Sequence, residues 1–158
     1  MADFGPAPMT FAGGKAPPPL GSNQTGALGE GLFLGRRIVI VEDEAMVAWS
    51  LATMAEDLGY DVVGTFSRGE TALAGIGADG TDIVLMDINL GSAGLDGVET
   101  ARQLRESHDF PIIFISAYAD PATRARVEEQ VPGAPLLRKP VSPALLADAL
   151  ADAQRRCN

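Results

Sequence analysis

Ile83-Val84-Leu85-Met86-Asp87 is the stretch that decides the fold: four consecutive apolar side chains that end on a carboxylate. A strand that is apolar on both faces has to be covered on both, which is the mark of a parallel sheet with helices on either side. The same texture recurs upstream in Ile38-Val39-Ile40-Val41, which runs into Glu42-Asp43-Glu44, and downstream in Ile112-Ile113-Phe114-Ile115, which runs into Ser116. Asp61-Val62-Val63-Gly64 and Pro135-Leu136-Leu137 complete a set of five predicted strands.

Between the strands the apolar residues recur instead at helical spacing. Val47, Leu51, Met54 and Leu58 form an i, i+4, i+7, i+11 stripe, and Gly59 closes that helix as a C-terminal stop. Ser67 and Glu70 have the spacing of a capping box, predicting a second helix toward Leu73 and Ile76. A third helix runs from about Gly97 through Val98, Ala101 and Leu104. Asp120-Pro121 and Ser142-Pro143 open the fourth and fifth, each pairing an N-cap side chain with a proline suited to the first helical position. Right-handed crossovers then predict an α/β fold: a doubly wound, five-stranded parallel sheet of the flavodoxin-like (βα)5 kind, strand order 2-1-3-4-5.

The chain of 158 residues suits one folded domain, placed at 36–158, behind a Gly/Pro-rich flexible leader at 1–35 that includes Pro17-Pro18-Pro19. With 46% hydrophobic and 21% charged residues it is of ordinary globular composition. A net charge of -9 with no run of three basic residues argues against nucleic acid as a partner. One cysteine, Cys157, and one histidine, His108, exclude an intramolecular disulfide and a Cys-rich zinc site; both read as surface residues. No apolar run reaches the roughly 18 residues of a membrane span, and the N-terminus lacks the pattern of a secretory signal, so the expected location is the cytoplasm.

Parallel strands bring their carboxyl ends to one rim, and four of the five predicted strands run there into polar residues: Glu42-Asp43-Glu44, Asp87, Ser116 and Arg138-Lys139-Pro140. Carboxylates crowded at one edge repel one another unless a hard cation sits among them. Glu42, Asp43 and Asp87 therefore point to Mg2+, with Mn2+ as the alternative ion. A cation beside a carboxylate and a lysine suits phosphoryl transfer, with Asp87 as the nucleophile and Lys139 and Ser116 holding the transferred oxygens.

The ordered set Ile40-Val41-Glu42-Asp43-Glu44, Leu85-Met86-Asp87-Ile88-Asn89-Leu90, Ile115-Ser116-Ala117 and Arg138-Lys139-Pro140 resembles the bacterial response-regulator receiver family over about residues 36 to 156. The resemblance implies that Asp87 takes a phosphoryl group from a histidine kinase or a histidine phosphotransfer protein. It implies that Asp43, Asp87 and the Asn89 main-chain carbonyl ligate Mg2+ while Glu42 acts largely through a metal-bound water. It further implies that the Ser116 hydroxyl moves toward the phosphoryl group, that Lys139 pairs with Asp87 or the phosphoryl oxygens, and that the bond before Pro140 is cis. Such a protein is a self-assisting phosphoacceptor switch rather than a turnover enzyme, with a downstream protein target and, here, no expected DNA-binding output domain.

Three positions depart from the family pattern. Leu136 occupies the place, three before the lysine, where the family usually carries an aromatic switch residue. The stretch after Asp87, Ile88 to Gly97, is slightly longer than usual and holds three glycines, which suggests a mobile loop. Tyr118, two residues after Ser116, reads equally as a shield of the acyl phosphate or as a partly exposed packing residue. Trp49, off the stripe of the first helix, reads better as packed at the stripe's edge than as a docking aromatic.

Two alternatives compete. A pseudo-receiver would bind partners without phosphorylation. A flavodoxin-like cofactor enzyme would need a Ser/Thr/Gly phosphate-binding loop after strand one, where Glu42-Asp43-Glu44 would repel the phosphate of FMN.

Overall fold

The computed structural model describes residues 36–77 and 80–157; the predicted leader at 1–35 lies outside the described residues. The elements alternate: β1 (Arg37–Val41), α1 (Ala45–Asp57), β2 (Asp61–Phe66), α2 (Gly69–Gly75), β3 (Ile83–Asp87), α3 (Gly97–Ser107), β4 (Ile112–Ser116), α4 (Pro121–Gln130), β5 (Leu136–Arg138) and α5 (Pro143–Arg156). All four pairings are parallel and the order is β2-β1-β3-β4-β5, as the sequence predicts. Among the described residues no helix is long and apolar enough to cross a membrane.

Apart from Arg37 at the start of β1, the central strands are buried throughout, and their alternation divides the core in two. Val39, Val41, Val84, Met86, Ile112 and Phe114 face one apolar cluster with α3 residues such as Val98 and Leu104. Ile38, Ile40, Ile83, Leu85, Ile113 and Ile115 face the other, with Leu51 of α1 and Leu146 and Leu150 of α5. Each such aliphatic side chain contributes about 1.5–3 kcal/mol when fully buried, so the three central strands form the rigid frame on which the rim is built.

Local signals fare unevenly. Asp120 accepts a hydrogen bond from the Thr123 amide at 2.7 Å and Ser142 one from the Leu145 amide at 3.2 Å, so both predicted N-caps form. Gly59 takes φ +89° directly after α1, a conformation that favours glycine. The α1 stripe is shifted, however. Ala48, Leu51 and Ala55 are its buried residues, while Leu58 is exposed; small side chains let the helix lie close to the sheet and leave the larger ones at its margins. The predicted capping box does not form either: α2 starts after Arg68 without a side-chain cap, and Ile76 lies just beyond its end.

Gly97 carries a constraint the sequence alone does not reveal. Its amide donates to the Ile88 carbonyl at 2.8 Å, and a β-carbon at this position would collide with the main-chain carbonyl of Asp87. Gly97→Ala is therefore expected to lower stability by about 1–3 kcal/mol, the usual cost of forcing an extra methyl into packed structure. Urea unfolding of the two proteins checks this, and equal midpoints would refute it.

Candidate functional site

Strand register assembles the rim. Val41 pairs with Met86, Asp87 with Ile115 and Ser116 with Arg138, so Glu42, Asp87, Ser116 and Lys139 follow one another across four adjacent strand ends. The Glu42 amide extends the ladder to the Phe66 carbonyl at 2.9 Å, and the Lys139 amide to the Ser116 carbonyl at 2.9 Å. Glu42 continues the alternation of Ile40, Asp87 that of Leu85 and Lys139 that of Leu137, so the three side chains leave the sheet toward the same side. The result places the winding reversal between β1 and β3 beneath the acidic cluster.

Lys139 is the centre of the polar contacts. Its Nζ donates to Glu42 Oε2 at 2.6 Å and stands 3.2 Å from Asp87 Oδ2. The sequence anticipates the contact with Asp87. It does not anticipate that the shorter one goes to Glu42, which is only 2% exposed rather than a rim residue in water. Burial would pull the lysine's pKa down, but its hydrogen bond to Glu42 and the charge of Asp87 outweigh it and hold the ammonium above its ordinary range. The Lys139-Pro140 peptide bond is cis.

One carboxylate oxygen from each of Glu42, Asp43 and Asp87 lies within 4.8 Å of the others. Three carboxylates thus face one ammonium, leaving two uncompensated negative charges when all are ionised. Glu42 relieves part of that strain: burial raises its pKa, the Lys139 hydrogen bond and the Glu44 amide pull it back, Asp87 adds repulsion, and the balance is about 7. The donor set fits a hard dication, with all-oxygen ligands, an exposed Asp43 on the open side and a charge deficit of the matching size.

The sign of the pH dependence follows. Between the ordinary pKa of Glu42, 4.5, and about 7 the folded protein binds more protons than the unfolded chain, so in the absence of metal its stability falls as pH rises through that window. Asp82 and Asp96, whose carboxyls are held low by Arg37 and Arg126 despite partial burial, act below this window and with opposite sign. Thermal unfolding in EDTA is expected to show a falling midpoint from pH 5 to 7.5 that Glu42→Gln flattens; an unchanged slope in the variant would contradict the assignment.

The remaining predicted residues take up distinct places. The Asn89 amide donates to Asp87 Oδ1 at 3.2 Å, which turns the chain back over the carboxylate. Ser116 is buried at the end of β4, and its Oγ accepts from the Tyr118 amide at 3.1 Å, so its own proton is available. Tyr118 is 66% exposed, and Leu136 is half-buried against the core. Trp49 is also 66% exposed, against the expectation that it packs; it borders a shallow pocket shared with Glu42, Asp43 and Phe66. His108 is not a free surface residue: its ring stacks on Phe110 at 5.1 Å and its Nδ1 is buried. Cys157 is exposed, as expected.

Comparison with known proteins agrees with the fold. The family model for the response regulator receiver domain matches residues 38–151. Among curated proteins the chain is similar to the phyllosphere-induced regulator PhyR of Methylorubrum extorquens, 33% identical over 124 residues, 76% of this chain and 44% of that one. It thus spans about half the length of that relative or less. Among solved structures it is similar to the signal receiver domain of a modulated diguanylate cyclase from Desulfovibrio desulfuricans G20, with a TM-score of 0.68, 38% identity and coverage of 78% of this chain and 96% of that one. It is also similar to the BeF3-activated N-terminal receiver domain of RstA from Klebsiella pneumoniae, with a TM-score of 0.67, 30% identity and coverage of 76% and 99%.

Proposed function

Because the chain belongs to the response regulator receiver domain family, we propose that it is a phosphoacceptor switch in which Asp87 takes a phosphoryl group from a phosphohistidine. Receiver domains are regulatory switches that generally bind Mg2+ and interact with histidine kinases and other proteins. The finer reading rests on one observation above all: a single ammonium, Lys139, spans Glu42 and Asp87 at the edge where three carboxylate oxygens converge. The BeF3-activated state of the RstA receiver adds support, since that group stands in for a phosphoryl group on a carboxylate.

In the proposed reaction a carboxylate oxygen of Asp87 attacks phosphorus, the O–P bond forms as the P–N bond to the donor imidazole breaks, and the imidazole leaves with a proton from solvent. Asp43, Asp87 and the Asn89 carbonyl would hold Mg2+, with Glu42 acting through water, and the ion when bound neutralises charge on the phosphoryl oxygens. Lys139 shares that work from the other side, already within ion-pair reach of the nucleophile. Ser116 donates its free hydroxyl proton to a transferred oxygen. Tyr118, exposed and held by its amide on Ser116 Oγ, would shield the acyl phosphate from water. The signal passes on through protein contacts, toward a downstream target or a second phosphotransfer histidine.

Incubating the full chain with Mg2+ and acetyl phosphate, then trapping the acyl phosphate with hydroxylamine and mapping peptides, tests this. The expected product carries one modification, at Asp87, and EDTA prevents it. Absence of labelling with any donor would leave the phosphorylation-independent binding module in its place.

A further inference from the structure

From Ala117 to Arg126, the stretch that leaves Ser116 and forms the first half of α4, no residue is buried. Helix α4 buries only Val127, and Val131 at its C-cap is 1% exposed; both join the apolar cluster that includes Val98 and Leu104 of α3. The helix is therefore anchored at its C-terminal end. A helix this short is marginal in water without tertiary support, so its first half depends on polar contacts to stay in place.

Most of those contacts are local. Asp120 caps the Thr123 amide at 2.7 Å and Arg124 Nε donates to the Ala119 carbonyl at 3.1 Å, which shapes the start of the helix but ties it only to itself. Two contacts reach outward among the described residues. One is the Tyr118 amide on Ser116 Oγ at 3.1 Å, at the end of β4. The other is the ion pair of Arg126 Nη1 with Asp96 Oδ2 at 2.7 Å, across to α3. Asp96 offers a carboxylate that is already in place: its Oδ1 caps α3 through the Glu99 amide at 2.9 Å, and the next residue, Gly97, is pinned to the Ile88 carbonyl at 2.8 Å. A cation that meets a fixed carboxylate loses less entropy than one in a pair of two free side chains.

We propose that the Asp96–Arg126 pair is a clasp that holds the strap from Ala117 to Arg126 against the domain, and that the strap opens as a local unit, hinged at Val127, when the clasp is released. Segments with few buried apolar contacts open at far lower cost than the core, and here one ion pair makes up most of the difference. The inference goes beyond the phosphoacceptor reading and does not rest on it, since neither residue belongs to the carboxylate rim. Opening frees the first half of α4 and the surface of α3 against which the helix packs, so another protein that takes up either charge would gain both surfaces.

The test is hydrogen exchange of the full chain, comparing wild type with Asp96→Asn, Arg126→Gln and the double variant. Asparagine caps a helix as well as aspartate does, so Asp96→Asn removes the clasp and keeps the α3 cap. Exchange of 117–126 is expected to quicken about two- to fivefold in each single variant, the worth of a surface ion pair at the upper end of its range. The double variant should be no faster than the singles, and exchange of 97–107 should stay at the wild-type rate. Raising salt from about 0.1 M to about 1 M shortens the screening length from about 10 Å to about 3 Å. Wild-type exchange of the strap should then move toward that of the variants, whose own rates stay put. Wild-type rates in both single variants, or a strap that exchanges as slowly as 97–107 in all four proteins, would overturn the clasp. So would a double variant whose effect is the product of the singles, because the two residues would then act independently.

Discussion

Asp87→Asn is expected to abolish phosphoryl uptake while leaving the fold intact. The amide nitrogen and oxygen of asparagine lack the charge and the nucleophilic lone pairs of a carboxylate, so no acyl phosphate forms. The structural cost is small because one asparagine oxygen can still accept from the Asn89 amide, the bond made by Asp87 Oδ1 at 3.2 Å. Lys139 keeps its shorter partner, Glu42, at 2.6 Å. Removing one of three crowded carboxylates also relieves repulsion, since the charge of Asp87 is among the causes that raise Glu42 to about 7. Stability at neutral pH is therefore expected to change by less than about 1 kcal/mol, in the range of an ordinary substitution without a cavity or a stranded charge. Intact mass after acetyl phosphate treatment and a urea melt report the two halves separately. Labelling that persists in the variant would mean that another residue is the acceptor.

Lys139→Ala has the second largest expected effect and a different signature. The site loses the ammonium that pairs with Glu42 and Asp87, and loss of one preorganised donor to a transferring group costs on the order of a hundredfold in rate. Binding of Mg2+ should change far less, because Lys139 competes with the cation for Glu42 and Asp87 as much as it organises them. The fold responds as well: the Glu42 side chain, fully buried, is left with the Glu44 amide at 3.1 Å as its remaining bond. It escapes the cost of an unpaired buried charge by keeping its proton, so its titration moves further above 7, and the falling limb of stability moves to higher pH with it. Phosphoryl uptake, Mg2+ titration and unfolding as a function of pH separate these effects. An equal loss of uptake and of metal affinity would argue that Lys139 only supports the metal site.

The polar rim was legible because each residue sits where an apolar strand stops. Asp87 after Ile83-Val84-Leu85-Met86 and Ser116 after Ile112-Ile113-Phe114-Ile115 needed no contact information, since a parallel sheet sends every strand end to one edge. The first helix was legible in its existence and its stop at Gly59 but not in its buried face. Alanines at 48 and 55 are the residues that meet the sheet, and a stripe drawn through the largest side chains misses them. Trp49 illustrates the same limit: its surroundings depend on which side of α1 the sheet lies, and it ends largely exposed.

Sequence by itself determined the architecture and the chemical identity of the rim, because hydrophobic alternation and helix caps are written in neighbouring residues and act over a few positions of the chain. Tertiary structure alone decided who partners whom. Lys139 reaches Glu42 across 97 positions and Glu70 reaches Leu95 across 25, and both choices depend on strand register and helix docking. A carboxylate's type says that it will seek a donor; only the packing of the other elements settles which donor lies within 3 Å.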